Sequence, residues 1–169
     1  MREFKVASQP EACVVNDETE QLFVGEEDVA VWALSARADA PTTMTKVIGV
    51  GDVAHDDIEG IAYYKNKANK PDYLVVSSQG NDSYVVLEAA APYKVRGAFR
   101  LGLNAALGID GASETDGLEV TSHNLSGKTG GIWQDGMLVV QDGRKRMPEG
   151  NQNYKYVPWS AIAKTLQLE

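Results

Sequence analysis

Apolar residues in this chain come in short bursts closed by Asp, Asn, Gly or Ser, and the order of the bursts repeats. Three similar units align. Each opens on an acidic residue that leads into a short apolar run: Glu11-Ala12-Cys13-Val14-Val15, Glu59-Gly60-Ile61-Ala62-Tyr63, and Asp116-Gly117-Leu118-Glu119-Val120, the acids lying 48 and then 57 residues apart. A second burst ends in a polar turn at residues 22–28, 74–82 and 138–143, and a third follows at Val31–Leu34, Tyr84–Leu87 and Tyr154–Val157. One more run precedes each acidic start: Phe4–Val6, Lys46–Val50 and Val95–Arg100. Runs this short, rich in β-branched and aromatic residues and bounded by turn formers, predict strands. Four of them in about 50 residues, repeated, is the pattern of a propeller blade.

The predicted fold class is therefore all-β: a partial β-propeller whose blades occupy roughly residues 11–50, 59–102 and 116–159. The phase of the repeat matters. The chain opens on Phe4–Val6, the fourth strand of a blade whose first three strands lie outside it, and stops after the third strand of its last blade. Three sheets do not close a ring at ordinary blade packing. Ser160–Leu166 has helical composition and is expected to form a short C-terminal helix that caps the end. The competing arrangement is a set of hairpins in a β-sandwich.

Charge narrows the partners. The formal net charge of −8 argues against nucleic acid and anionic membrane surfaces, because phosphate backbones are held by clustered Lys and Arg. An acidic protein that binds a phosphate needs a cation between the two. Cys13 is the single cysteine, which leaves neither an intrachain disulfide nor a cysteine metal site. No apolar stretch approaches a membrane span, and Met1–Lys5 lacks the apolar core of a signal peptide, so none is visible here.

The repeat also brings chemistry together. First strands of successive blades line the central channel of a propeller, so Glu11, Glu59 and Asp116 are expected around one mouth. Asp57 shares the face of Glu59 if the segment between them is already extended. Glu27 and Asp28, at the second turn of the first blade, approach the same region. Carboxylates gathered without basic partners must be protonated, separated or neutralised by a cation, and an oxygen-only set in irregular loops suits calcium better than magnesium. Each acid taken alone reads better as a solvated loop carboxylate than as a ligand; recurrence at one blade position is what favours a joint role for Glu11, Glu59 and Asp116.

Other candidates read as structure. His55 stands beside Asp56 and Asp57, and His123 lies in a loop; both read as surface histidines. Ser77 and Ser78 lack the glycine-flanked elbow of a serine hydrolase. Gly127-Lys128-Thr129-Gly130-Gly131 imitates part of a phosphate loop without its spacing and reads as a tight β-turn. Trp32, Tyr84 and Trp159, near the third strands, read as core.

Five stretches carry a family resemblance: Asp57-Ile58-Glu59-Gly60, Ser77-Ser78-Gln79-Gly80-Asn81, residues 110–117 (Asp110 to Gly117), Gln141-Asp142-Gly143, and Asn151-Gln152-Asn153-Tyr154-Lys155-Tyr156-Val157-Pro158-Trp159. In this order and spacing they resemble the signature segments of β-propeller phytases, and the resemblance runs from about Phe4 to about Ala163. It implies a six-bladed propeller, of which this chain is the C-terminal half, with calcium ions in the channel. It also implies metal-assisted hydrolysis of inositol hexakisphosphate (phytate) and a secreted or periplasmic location. By position, Glu11, Glu27, Asp57, Glu59 and Asp116 resemble the catalytic calcium- and phosphate-site acids, and Asp110 and Asp142 match a structural calcium site. Here the sequence departs from the family: Arg144 and Lys145 stand where some members carry an acid and an amide that bind this ion.

The family's phosphate-contacting basic residues come largely from the other three blades. Two ways of completing the ring follow. Either the chain is a piece of a longer polypeptide, or two copies form a homodimer in which Phe4–Val6 of each supplies the missing fourth strand of the other's last blade. The competing function is a non-catalytic half-propeller that binds calcium and phosphate ligands. A propeller lactonase is the weaker third reading.

Overall fold

The computed structural model describes residues 2–168. The first sheet comprises β1 (Pro10–Asn16), β2 (Gln21–Glu26), β3 (Ala30–Ser35) and β4 (Thr45–Gly49). The second comprises β5 (Ile61–Tyr64), β6 (Tyr73–Ser78), β7 (Ser83–Glu88) and β8 (Val95–Phe99). The third comprises β9 (Leu118–Thr121), β10 (Met137–Asp142) and β11 (Asn153–Pro158), followed by helix α1 (Trp159–Leu166). Each sheet is an antiparallel meander in chain order. The expected strands 11–15, 59–63 and 116–120 thus head their sheets, and the third sheet stops one strand short.

The sheets stack face to face. β1 lies beside β5, and β5 beside β9, so the three first strands run along one side of the stack as blade geometry requires. Phe23, Val31 and Ile48 of the first sheet meet Ile61, Leu74, Val76, Val85 and Leu87 of the second. On its other face the second sheet presents Tyr64, Tyr73, Val75, Tyr84 and Val86 to Val120, Leu138 and Val140 of the third, with Trp159 and Ile162 of α1 completing the layer. A sheet covered on both sides loses the apolar–polar alternation of a half-exposed one. This is why every residue of β6 is buried.

Two places need glycine because a neighbouring side chain or backbone approaches closely. A Cβ on Gly25 would sit 3.0 Å from Ile58 Cγ2, at the contact between the first and second sheets. One on Gly60 would sit 3.0 Å from the Asp116 carbonyl oxygen, where the entries to β5 and β9 meet.

Three expectations need correcting. Phe4–Val6 forms no strand, since no strand of the described residues pairs with it. Instead Arg2, Phe4, Val6 and Ser8 turn inward, half-buried, and alternate with exposed neighbours. Arg2 anchors this segment by donating to the carbonyls of Ser35 (2.7 Å), Arg37 (2.6 Å) and Pro41 (2.9 Å). The glycine-rich stretch at Gly127–Thr129 is a short 3-10 turn rather than a β-turn. In β11 the expected apolar run is reversed in sense: Tyr154 and Tyr156 are 64% and 62% exposed, while Lys155 points inward.

Candidate functional site

The loops that enter β1 and β5, and the turn that leaves β2, are tied together by backbone hydrogen bonds. The Glu27 amide donates to the Gln9 carbonyl (2.9 Å), and the Ile58 amide to the Glu27 carbonyl (3.0 Å). Ile58 is fully buried and plugs the junction from below, which leaves the polar side chains on either side of it facing outward. In consequence Glu11, Glu27 and Glu59, all half-buried, each bring one carboxylate oxygen within 4.8 Å of the others. Glu11 and Glu27 belong to the first sheet, and Glu59 leads into the second, so the cluster exists only because the sheets stack.

Asp57 and Asp116 complete the neighbourhood without joining the tight group. The expectation that Asp57 shares a strand face with Glu59 fails, because Asp57 has φ +58° and the chain turns there instead of extending. Its carbonyl accepts the Gln79 amide (2.9 Å), and its charge still acts on Glu27 and Glu59. Asp116 is held by two glutamines: Gln79 Nε2 donates to its Oδ1 (2.6 Å), and Gln141 Oε1 accepts its backbone N–H (2.9 Å). Gln9 Nε2 likewise donates to Glu11 Oε1. These three amides were not singled out from sequence: in the repeat Gln141 aligns with Ser77, and Gln79 stands two positions further on, in the turn after β6, so no recurrence marks them.

Acids crowded in this way titrate abnormally. Burial, followed by the charges of Glu11, Glu27, Asp116 and Asp57, pushes Glu59 up to about 7 from its ordinary 4.5. Burial and the neighbouring Asp28, Glu11 and Asp57 raise Glu27, and burial with Asp56 and Asp28 raises Asp57. Among the described residues, no Lys or Arg forms an ion pair with Glu11, Glu27 or Glu59. Such a set either keeps a proton near neutral pH or takes a hard cation, and its all-oxygen donors fit calcium.

Asp110 and Asp142 belong to a different arrangement. Lys155 Nζ donates to Asp110 Oδ1 (2.7 Å), Asp142 Oδ2 (2.8 Å) and Asn153 Oδ1 (2.9 Å). Asp110 is held down at about 2, chiefly by the Lys155 hydrogen bond and the Arg146 amide. Burial acts to lower the Lys155 ammonium, but its two carboxylate partners outweigh burial and raise it. Lys155 was missed from sequence because it sits inside a run read as apolar. Strand alternation between two exposed tyrosines is the signal that points it inward.

The remaining candidates serve structure. His55 is exposed, and its backbone amide donates to Ser78 Oγ (2.8 Å); His123 lies in an exposed loop. Ser77 Oγ donates to the Thr115 carbonyl (2.8 Å). Trp159 stacks on Tyr64 with centroids 3.7 Å apart, and Tyr84 is buried against Phe99. Trp32, only half-buried, donates Nε1 to Glu26 Oε2 (2.6 Å), a buried acid that the sequence pattern had left in a solvent-facing turn.

Stacked antiparallel meanders of four, four and three strands, with acids converging where the first strands begin, define part of a propeller-type scaffold. The model of the phytase family matches residues 1–169, and the chain belongs to that family. It is 37% identical over 170 residues to the 3-phytase of Bacillus subtilis (strain 168). That match takes in 98% of this chain but 42% of the relative, so the chain spans less than half of the protein it resembles.

Proposed function

We propose that this chain is the calcium-binding half of a phytase that hydrolyses phosphomonoesters of myo-inositol hexakisphosphate. The observation that carries the reading is the convergence of Glu11, Glu27 and Glu59 from two sheets within 4.8 Å and without a cationic partner. Three carboxylates so placed are the ligand set of a hard dication, with Asp57 and Asp116 adding negative charge around it.

Bound calcium would neutralise phosphoryl charge and favour in-line attack of water on phosphorus. The chain's own residues have definable parts. Glu11, Glu27 and Glu59 hold the cation. The Gln79 and Gln141 contacts fix Asp116 in one orientation, and the Gln9 contact does so for Glu11. Glu59, the most perturbed of the acids, is the group able to exchange a proton near neutral pH when no cation is present. Irregular carboxylate sites of this kind suit the high calcium found outside the cytoplasm, in keeping with the secreted or periplasmic location that the resemblance implies.

The same reading requires partners for the open ends of the stack. Among the described residues, the outer edge of β11 has no neighbouring strand and Phe4–Val6 has no sheet. A head-to-tail homodimer that exchanges these segments, or the remaining blades of a longer polypeptide, would close the ring and add the basic residues that phosphate binding needs. A specific observation favours the alternative of a binding module without turnover: no Lys or Arg of the described residues pairs with the acidic cluster, so this half by itself lacks a cationic clamp.

The deciding experiment is phosphate release from calcium phytate by the purified chain, with and without chelator, on a sample of measured mass. Calcium-dependent release from a dimer supports the rebuilt propeller. A folded chain that binds calcium without releasing phosphate reduces it to a binding module, and a folded chain without calcium affinity defeats both readings.

A further inference from the structure

The family's second calcium position falls on Asp110 and Asp142, and the donor set there does not fit a calcium ion. Calcium takes six to eight oxygen ligands. Here Asp110 already accepts three donors: Lys155 Nζ at Oδ1, and the amides of Arg146 and Met147 (3.1 Å) at Oδ2. Asp142, fully buried, also accepts three: Lys155 Nζ at Oδ2, and the amides of Ser113 (3.2 Å) and Arg144 (3.3 Å) at Oδ1. A carboxylate offers about four lone-pair positions, so each acid is close to saturated. The third acceptor of the lysine is Asn153 Oδ1. An ammonium has three N–H donors, and this one has three acceptors at 2.7–2.9 Å.

The surroundings agree. The cleft in front of Asp110 and Ser113 is lined by Arg144 and Arg146, and the adjoining one, beside Asp110 and Asn153, by Lys145. Arg144 pairs with Glu114, and Asp82 shares its cleft, so Arg146 and Lys145 supply the like charge that a dication meets on either route. The backbone is shaped for these contacts as well. A Cβ on Gly111 would lie 2.1 Å from the Leu101 carbonyl oxygen, and one on Gly143 would lie 2.7 Å from that of Glu114, so each Asp-Gly pair is drawn tightly against the neighbouring loop.

We infer that the Lys155 ammonium is the resident cation of the Asp110–Asp142 site, so that this chain holds that junction together without a structural calcium. The loop from Asp110 to Thr115 is thereby tied to the end of β10 and to β11 by an internal ion pair, which calcium removal leaves intact. Arg144 and Lys145, the departure from the family pattern, follow from the same exchange: a site that carries its own cation has no use for further anionic ligands and tolerates positive neighbours.

The test uses the full chain and calcium alone as probe. In the 15N-labelled protein, the Lys155 Nζ signal is expected to show slow hydrogen exchange and to stay in place through a calcium titration. Asp110→Asn is expected to lower the unfolding midpoint equally in calcium and in chelator, and to leave the number of calcium ions bound per chain unchanged. A Lys155 signal that moves or disappears as calcium is added would overturn the inference. Loss of one bound calcium in Asp110→Asn would do the same. If that variant does not fold, the wild-type Lys155 signal decides alone. Failure of the acidic cluster to bind calcium would count against the proposed function but would leave this readout untouched.

Discussion

Glu27 and Glu59 enter from different sheets, yet their carboxylates lie within 4.8 Å of each other and of Glu11. Their proximity is unfavourable for the metal-free fold, because it confines like charge in a half-buried site.

The first prediction follows from the sign of that effect. Glu59 has a folded-state value of about 7 against an ordinary 4.5, so between these limits the folded chain binds more protons than the unfolded one. Without metal, the Glu59 contribution to stability is therefore full below about pH 4.5 and is lost as pH rises through 7, by on the order of 1–2 kcal/mol after allowance for solvent screening. Glu59→Gln should flatten this slope, and calcium should flatten it in the wild type. Unfolding midpoints across pH, with and without chelator, check both; an unchanged slope in Glu59→Gln would mean that the acids do not interact.

Glu26 should behave in the opposite sense. Burial tends to raise it, but the amides of Ser8 and Ala7 and the Trp32 indole N–H prevail and lower it. Its stabilising effect is present above the ordinary carboxylate range and is lost as pH falls through the depressed value. Glu26→Gln places an amide N–H₂ against these donors and should cost about 1–3 kcal/mol. Faster hydrogen exchange at Ala7 and Ser8, with little change in β6, would mark the loss as local to the N-terminal segment.

Trp159 joins α1 to the second sheet by stacking on Tyr64, whose hydroxyl donates to the Asp135 carbonyl (2.9 Å). Trp159→Ala should destabilise the chain by about 3–5 kcal/mol through the cavity it leaves. Denaturant unfolding gives the magnitude. A change below 1 kcal/mol would show that α1 is not part of the core.

Gly136 has φ +84°, and a Cβ there would fall 1.8 Å from the Thr121 carbonyl oxygen. Gly136→Ala should cost roughly 2–4 kcal/mol. Gly102→Ala, with no atom within 4 Å of the added methyl group, is the matched control and should be near neutral. Equal unfolding midpoints for the two variants would contradict this packing of the turn before β10.

How far the sequence alone reached differs between fold and site. The repeat of acid, strand, turn and strand located all eleven strands of the described residues to within a few positions, because short apolar bursts between turn formers have few other uses. It failed at Phe4–Val6, where the local pattern is that of a strand but none of the described strands pairs with it. It also misjudged β11: a run of Tyr, Lys, Tyr and Val has strand propensity whichever face is buried, and the side facing the core depends on what packs against it.

The acidic cluster was legible in outline, since equivalent positions of stacked blades must converge. Asp57 reaches it by a left-handed turn that no periodicity announces. Lys155 meets Asp110 and Asp142 across separations of 45 and 13 residues, and only the packing of three segments brings them into contact. By itself, then, the sequence determined the strands, their order and the recurrence of acids at the blade entrances, all of which rest on local pattern repeated along the chain. Tertiary structure decided which carboxylates face one another and which face an ammonium, because the distances that set charge interactions belong to the stacking of the sheets.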